Sequence, residues 1–206
     1  MAFTYFFRDL HMLELAVRYS APCLSGRSYG RVWDAGCAMG QEPYSLGILL
    51  AENMGRFAFN NLRILASDQD STDQFGPIVA AGVYPHEQLE RMPAGILEKY
   101  FEPAGEAGYF KVAESIRRHV TYQKHDLLSL REIGEGFSLI MCKNVLLHLE
   151  AAERIDVVRM FHRALAPGGY FATEQTQKLP PECAGLFEQV AQDGQLYRRP
   201  ETAPCA

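Results

Sequence analysis

The stretch from Gly30 to Glu52 most constrains what this chain can fold into. Gly30-Arg-Val-Trp-Asp34 is an apolar run of strand length, the loop after it carries Gly36 and Gly40, and Pro43-Tyr-Ser-Leu-Gly-Ile-Leu-Leu-Ala-Glu52 spaces its apolar residues for a helix. The alternation recurs. Arg63-Ile-Leu-Ala-Ser-Asp68 and Phe137-Ser-Leu-Ile-Met-Cys142 read as further strands, residues 71–81 as a helix, and residues 151–165 as an amphipathic helix with Ile155, Val158, Phe161 and Leu165 on one face. Pro167-Gly-Gly169 is expected to stop that helix and launch Tyr170-Phe-Ala-Thr173. Tyr109-Phe-Lys-Val112 and His119-Val-Thr-Tyr-Gln123 are expected to pair, making a small β insertion at about residues 109–123. Strands alternating with helices predict an α/β fold with a doubly wound, mostly parallel sheet, because right-handed crossovers lay each helix on a face of the sheet.

In such a sheet, ligands bind beyond the carboxyl ends of the strands. Residues 34–42, Asp68, Asp126 and residues 143–148 each follow a predicted strand, so one crevice can collect them. The loop is not a pyrophosphate cradle. A dinucleotide fingerprint needs glycine where Ala38 and Gln41 stand, and no Gly-Lys-Ser/Thr follows. A nucleoside cofactor without phosphates fits better: Asp68 can accept hydrogen bonds from both hydroxyls of a ribose, and Glu42 adds a second carboxylate. S-adenosylmethionine, with its ammonium and sulfonium, is attracted by such an acidic pocket.

The chain has 206 residues and is expected to form one domain, with residues 1–28 covering the cofactor site. A net charge of −5 disfavours nucleic acid, whose binding rests on clustered Lys and Arg. No apolar run approaches the roughly 20 residues that span a bilayer, so membrane insertion is not expected. The five cysteines include no C-x-x-C pair, which disfavours zinc and disulfides and points to reduced thiols in the cytoplasm; no metal is expected.

Gly36-Cys-Ala-Met-Gly-Gln-Glu-Pro-Tyr-Ser45 resembles the cofactor loop of the CheR-type chemoreceptor glutamate methyltransferases, usually Gly/Ala-x-Ser-x-Gly-Glu-Glu-Pro-Tyr-Ser. Thr4-Tyr-Phe-Phe-Arg-Asp9, Ala66-Ser-Asp-Gln-Asp70, Gly82-Val-Tyr84, Lys99-Tyr-Phe101, Lys143-Asn-Val145 and Leu165-Ala-Pro-Gly-Gly-Tyr170 resemble the family in the same order, covering nearly the whole chain. The resemblance implies a Rossmann-like methyltransferase fold. It also implies S-adenosyl-L-methionine as cofactor, S-adenosyl-L-homocysteine as product, and cofactor contacts from Thr4, Arg8, Gly36, Gly40, Glu42, Asp68, Asp126, Leu127, Lys143 and Asn144.

The sequence departs from that pattern in places. Ala2 and Asp126 stand where the family has Asn, Lys143 where it has Arg, and His148 where it puts a tyrosine near the transferred methyl. The family's basic helical N-terminal domain, associated with receptor docking, is expected to be missing, since the Phe-Phe-Arg motif begins at residue 6.

The expected activity is carboxyl O-methylation, with Arg8 as the clamp on a substrate carboxylate and His148 either orienting the substrate or taking a proton from a hydroxyl-type nucleophile. The acceptor is expected to be a protein such as a chemoreceptor, or a small organic or fatty acid. The alternative is a non-catalytic cofactor-binding sensor or scaffold.

Overall fold

The computed structural model describes residues 4–201. Seven strands form one sheet in the order β6-β2-β1-β7-β8-β10-β9, where β1 is Gly30–Ala35, β2 Leu62–Asp68, β6 Val120–Lys124, β7 Phe137–Met141, β8 Leu165–Ala172, β9 Glu188–Gln189 and β10 Leu196–Arg198. The first five run parallel, while β10 lies antiparallel between β8 and β9. From β1 the chain builds outward to β2 and β6, then crosses back to place β7 on the other flank. That reversal between β1 and β7 opens a crevice at their carboxyl ends. The expected doubly wound, mostly parallel α/β sheet is the one observed.

Period-2 alternation sends successive side chains to opposite faces. Val32, Ile64, Leu139 and Met141 pack under helices α1 (Leu10–Ser25) and α2 (Gln41–Asn53), whereas Trp33, Ile140 and Phe171 meet α7 (Ala151–Ala164). Glu150 and Glu153 close a capping box at the start of α7, satisfying amides that would otherwise lack partners. Short helices α3 (Arg56–Asn60) and α4 (Phe75–Ala81) flank β2. Among the described residues, no helix is long and apolar enough to cross a membrane.

Three local expectations are corrected. Helix α4 begins at Phe75 rather than near 71, because Asp70 takes a left-handed φ of 40° and its carboxylate accepts the amides of Gln74 and Phe75. Strand β8 begins at Leu165, so Pro167-Gly-Gly169 lies within a strand; the irregularity it causes is a register shift against β7 between Phe137 and Leu139.

The β insertion lies earlier than 109–123. Strands β3 (Val83–Pro85), β4 (Phe101–Pro103) and β5 (Tyr109–Val112) form a separate antiparallel sheet in the order β3-β5-β4, beside helices α5 (Ile96–Tyr100) and α6 (Glu114–Arg117). Residues 120–124 instead extend the main sheet alongside β2. His119 anchors them there: its buried ring contacts the Leu62 carbonyl at 3.0 Å, and its own carbonyl accepts the Ile64 amide at 2.8 Å.

Candidate active site

The loop after β1 is tied to the end of β2. Gly36 and Cys37 donate their amides to the Ser67 carbonyl at 2.7 and 3.0 Å, and Ala38 donates to Asp68 Oδ2 at 3.0 Å. Gly36 is required on two counts. Its φ is +97°, and a Cβ there would lie 2.2 Å from Val145 Cγ2. Gly36→Ala is therefore expected to cost about 1–3 kcal/mol, read as a lower urea midpoint; an unchanged midpoint would contradict the close approach.

Gly40 serves a different end. It caps α2 with φ +96°, and a Cβ there would press on Tyr84 Oη at 2.8 Å and Val79 at 2.9 Å. Its role is thus packing against the smaller sheet, and it is not among the residues lining the crevice.

The crevice has two adjoining lobes. The first, about 260 Å³, is walled by Asp68, His125, Asp126 and Leu127; the second, about 350 Å³, by Thr4, Arg8, Glu42 and Lys143. Gly36, Asp68, Asn144, Val145 and His148 border both. Together the lobes fall in the range of about 300–1,000 Å³ usual for small-molecule sites. All the site residues expected from sequence except Gly40 thus converge on one cavity, drawn from the N-terminal segment and the loops after β1, β2, β6 and β7. His148 lies exposed at its rim, closing a short 3-10 turn over Leu146–His148.

Charge is concentrated around Lys143, whose side chain is fully buried. Its ammonium lies 3.1 Å from Glu42 and 3.6 Å from Asp9, and donates to the Arg8 carbonyl at 2.7 Å. Burial nevertheless raises the Glu42 pKa, outweighing the attraction of Lys143. Asp34 is raised well above its ordinary value, first by burial and then by repulsion from Glu42, with Lys143 opposing and Asp68 adding. Both Asp34 oxygens are buried without a hydrogen-bond partner among the described residues. Burial, followed by the charge of Asp34, pushes the Cys37 thiol far up, so it is no nucleophile.

Residues 2–195 match the family model described as CheR methyltransferase, SAM binding domain. The chain belongs to the CheR methyltransferase family. It is 28% identical to a probable chemotaxis protein methyltransferase of Rhizobium etli, over 91% of this chain and 72% of that one. It is 32% identical to chemotaxis protein methyltransferase 2 of Pseudomonas aeruginosa, over 82% of this chain and 60% of that one. With the chemotaxis protein methyltransferase of Escherichia coli the figures are 30%, 81% and 57%. The chain therefore spans roughly three fifths to seven tenths of these relatives' lengths. Among solved structures, the N-methyltransferase NodS of Bradyrhizobium japonicum aligns over 91% of this chain and 86% of that one, with a TM-score of 0.48 and 15% identity; no role is transferred from it.

By family this CheR chain is an S-adenosylmethionine-dependent methyltransferase. The residues fit that cofactor. Glu42, Asp68 and Asp126 line the crevice, the buried Asp34 oxygens are left without partners among the described residues, and the loop offers no phosphate cradle, which suits a ligand bringing positive charge. The Ala2 position, where the family has Asn, lies outside the described residues.

Sequence reading missed several wall residues. Gln69, His125, Leu128 and Leu149 line the first lobe. Position next to a strand end was the only available signal, and many structural residues share it. Burial lowers the His125 pKa, and its ring stands edge-on to Trp33 with centroids 5.8 Å apart.

Proposed function

We propose that this chain transfers the methyl group of S-adenosylmethionine to a carboxylate oxygen of a protein glutamate, in the cytoplasm, with a chemoreceptor as acceptor. The observation carrying the reading is the placement of Arg8, a bidentate cation, on the wall of the lobe that the acidic cofactor loop also lines. The chemotaxis methyltransferases among its relatives support the acceptor class.

When bound, the cofactor supplies a methyl group already activated on a sulfonium. The chain's residues have the remaining tasks of holding and aligning. Asp68 would accept the ribose hydroxyls while its Oδ2 pins the loop through Ala38. Asp126 and Leu127, on the wall of the first lobe, would border the nucleobase; the Asp126 carboxylate caps the turn after β6 by accepting the Leu128 amide at 2.9 Å. Thr4, Glu42, Lys143 and Asn144, on the wall of the second, would hold the amino-acid end.

Arg8 grips the acceptor carboxylate and His148 borders it. A carboxylate is ionised at neutral pH, so no general base is required. With the cofactor bound, the acceptor oxygen would bond to the methyl carbon as the carbon–sulfur bond breaks and its electron pair stays on sulfur, so the task of Arg8 and His148 is to hold that oxygen in line. Alignment and exclusion of water are what the site contributes.

The test is label transfer from methyl-tritiated cofactor to receptor cytoplasmic fragments, with short organic and fatty acids in parallel. Base-labile label released as methanol from the fragments is the expected result. Label on the small acids alone would move the acceptor class, and tight cofactor binding with no transfer would make the chain a binding module. Asp68→Ala is expected to weaken S-adenosylhomocysteine binding about 10- to 100-fold by calorimetry, the scale of hydrogen bonds to a charged group.

A further inference from the structure

We propose that Glu174 is a positioning residue for this site, acting through Asn144 on Arg8; the inference rests on the methyl-transfer reading of the crevice. Glu174 follows β8 and lines neither lobe, yet it is 4% exposed. Its Oε2 accepts the backbone amide of Asn144 at 2.8 Å and the Thr173 hydroxyl at 2.8 Å. Asn144 holds a left-handed φ of 58°, a region that asparagine enters more readily than most non-glycine residues, and the Glu174 contact holds its amide there. With its backbone held, Asn144 presents Oδ1 to Arg8, whose Nη2 donates at 2.9 Å, and Nδ2 to Asp9 at 3.5 Å. A buried carboxylate thus fixes the loop after β7, and a neutral amide on that loop sets where the guanidinium stands.

Stability alone is a poor reason for this arrangement. Glu174 Oε1 is buried with no hydrogen-bond partner among the described residues, so the carboxylate is kept at a desolvation cost. A charged acceptor for the Asn144 amide explains why the cost is borne, since hydrogen bonds to carboxylates are the strong ones.

The experiment compares Glu174→Ala, Glu174→Met and Glu174→Gln in the full chain. Met fills the same volume without an acceptor and keeps the test open where Ala fails to fold, while Gln retains an oxygen for the Asn144 amide. The expected result is an upfield move of the Asn144 amide proton and about a tenfold loss of kcat/KM for methyl transfer in Ala and Met, with Gln recovering to within about threefold.

A Met variant whose Asn144 amide and crystal position match wild type would overturn the proposal. So would a Gln variant as impaired as Met. If wild-type chain failed to bind S-adenosylhomocysteine, the methyl-transfer reading would fall, whereas the amide shift and the Arg8–Asn144 contact would still decide what Glu174 holds.

Discussion

Arg8→Ala is expected to lower kcat/KM for methyl transfer by about a thousandfold, about 4 kcal/mol of transition-state stabilisation. The size follows from what is removed: a planar cation beside the space where an acceptor carboxylate must align. Its neighbours argue that the loss will be local. Phe6 is buried edge-on to Tyr84 and Phe101, with centroids 4.9 and 5.3 Å away, and the Phe7 amide donates to Ser45 at 2.9 Å. The segment therefore stays anchored when the guanidinium goes.

Arg8→Lys keeps the charge and loses the fork, so it is expected to recover less than about a tenth of the lost rate. Binding of S-adenosylhomocysteine separates two roles for the same side chain. A change within about fivefold assigns Arg8 to the acceptor; a loss as deep as that in kcat/KM would assign it to the cofactor. Full turnover in Arg8→Ala would remove the clamp altogether.

The parallel frame could be read from sequence because its signals are local and repeated. Val32 and Trp33, Ile64 and Leu65, and Leu139 and Ile140 each put adjacent side chains on opposite faces, and strands buried on both faces read as continuous apolar runs. Placement of the site followed from the same frame. Residues after β1, β2 and β7 must meet at the switch point, whatever their identities, so Glu42, Asp68 and Lys143 were brought together by topology.

The smaller sheet was not readable in that way. Strands β3 and β4 are three residues each and end in proline, and β5 finds them only through long-range pairing. His119 carried the information that the next strand belongs to the main sheet, but a buried histidine bonded to a carbonyl looks in sequence like any polar residue in a loop. Gly40 and Glu174 fail for a related reason. The meaning of each is set by a partner distant in sequence, Tyr84 for one and Asn144 for the other.

Lys143→Met is expected to cost about 3–5 kcal/mol at neutral pH, the range for breaking a buried ion pair by removing one partner. Three losses coincide: the Glu42 pair, the more distant Asp9 contact, and the hydrogen bond to the Arg8 carbonyl. The pH dependence distinguishes this from lost packing. Asp34 and Glu42 already have raised pKa values through burial, and Lys143 lowers both. Without it they rise further.

A carboxyl group whose folded pKa exceeds its unfolded value, near 4, binds more protons folded than unfolded, so stability falls as pH rises between those two values. The variant's deficit is therefore expected to be smaller at pH 5 than at pH 8 in urea denaturation, and a deficit independent of pH would mean that charge is not what Lys143 compensates. Affinity for the cationic cofactor must move the other way. Protonating Glu42 removes negative charge from the crevice wall, so wild-type binding weakens as pH falls through the raised Glu42 value.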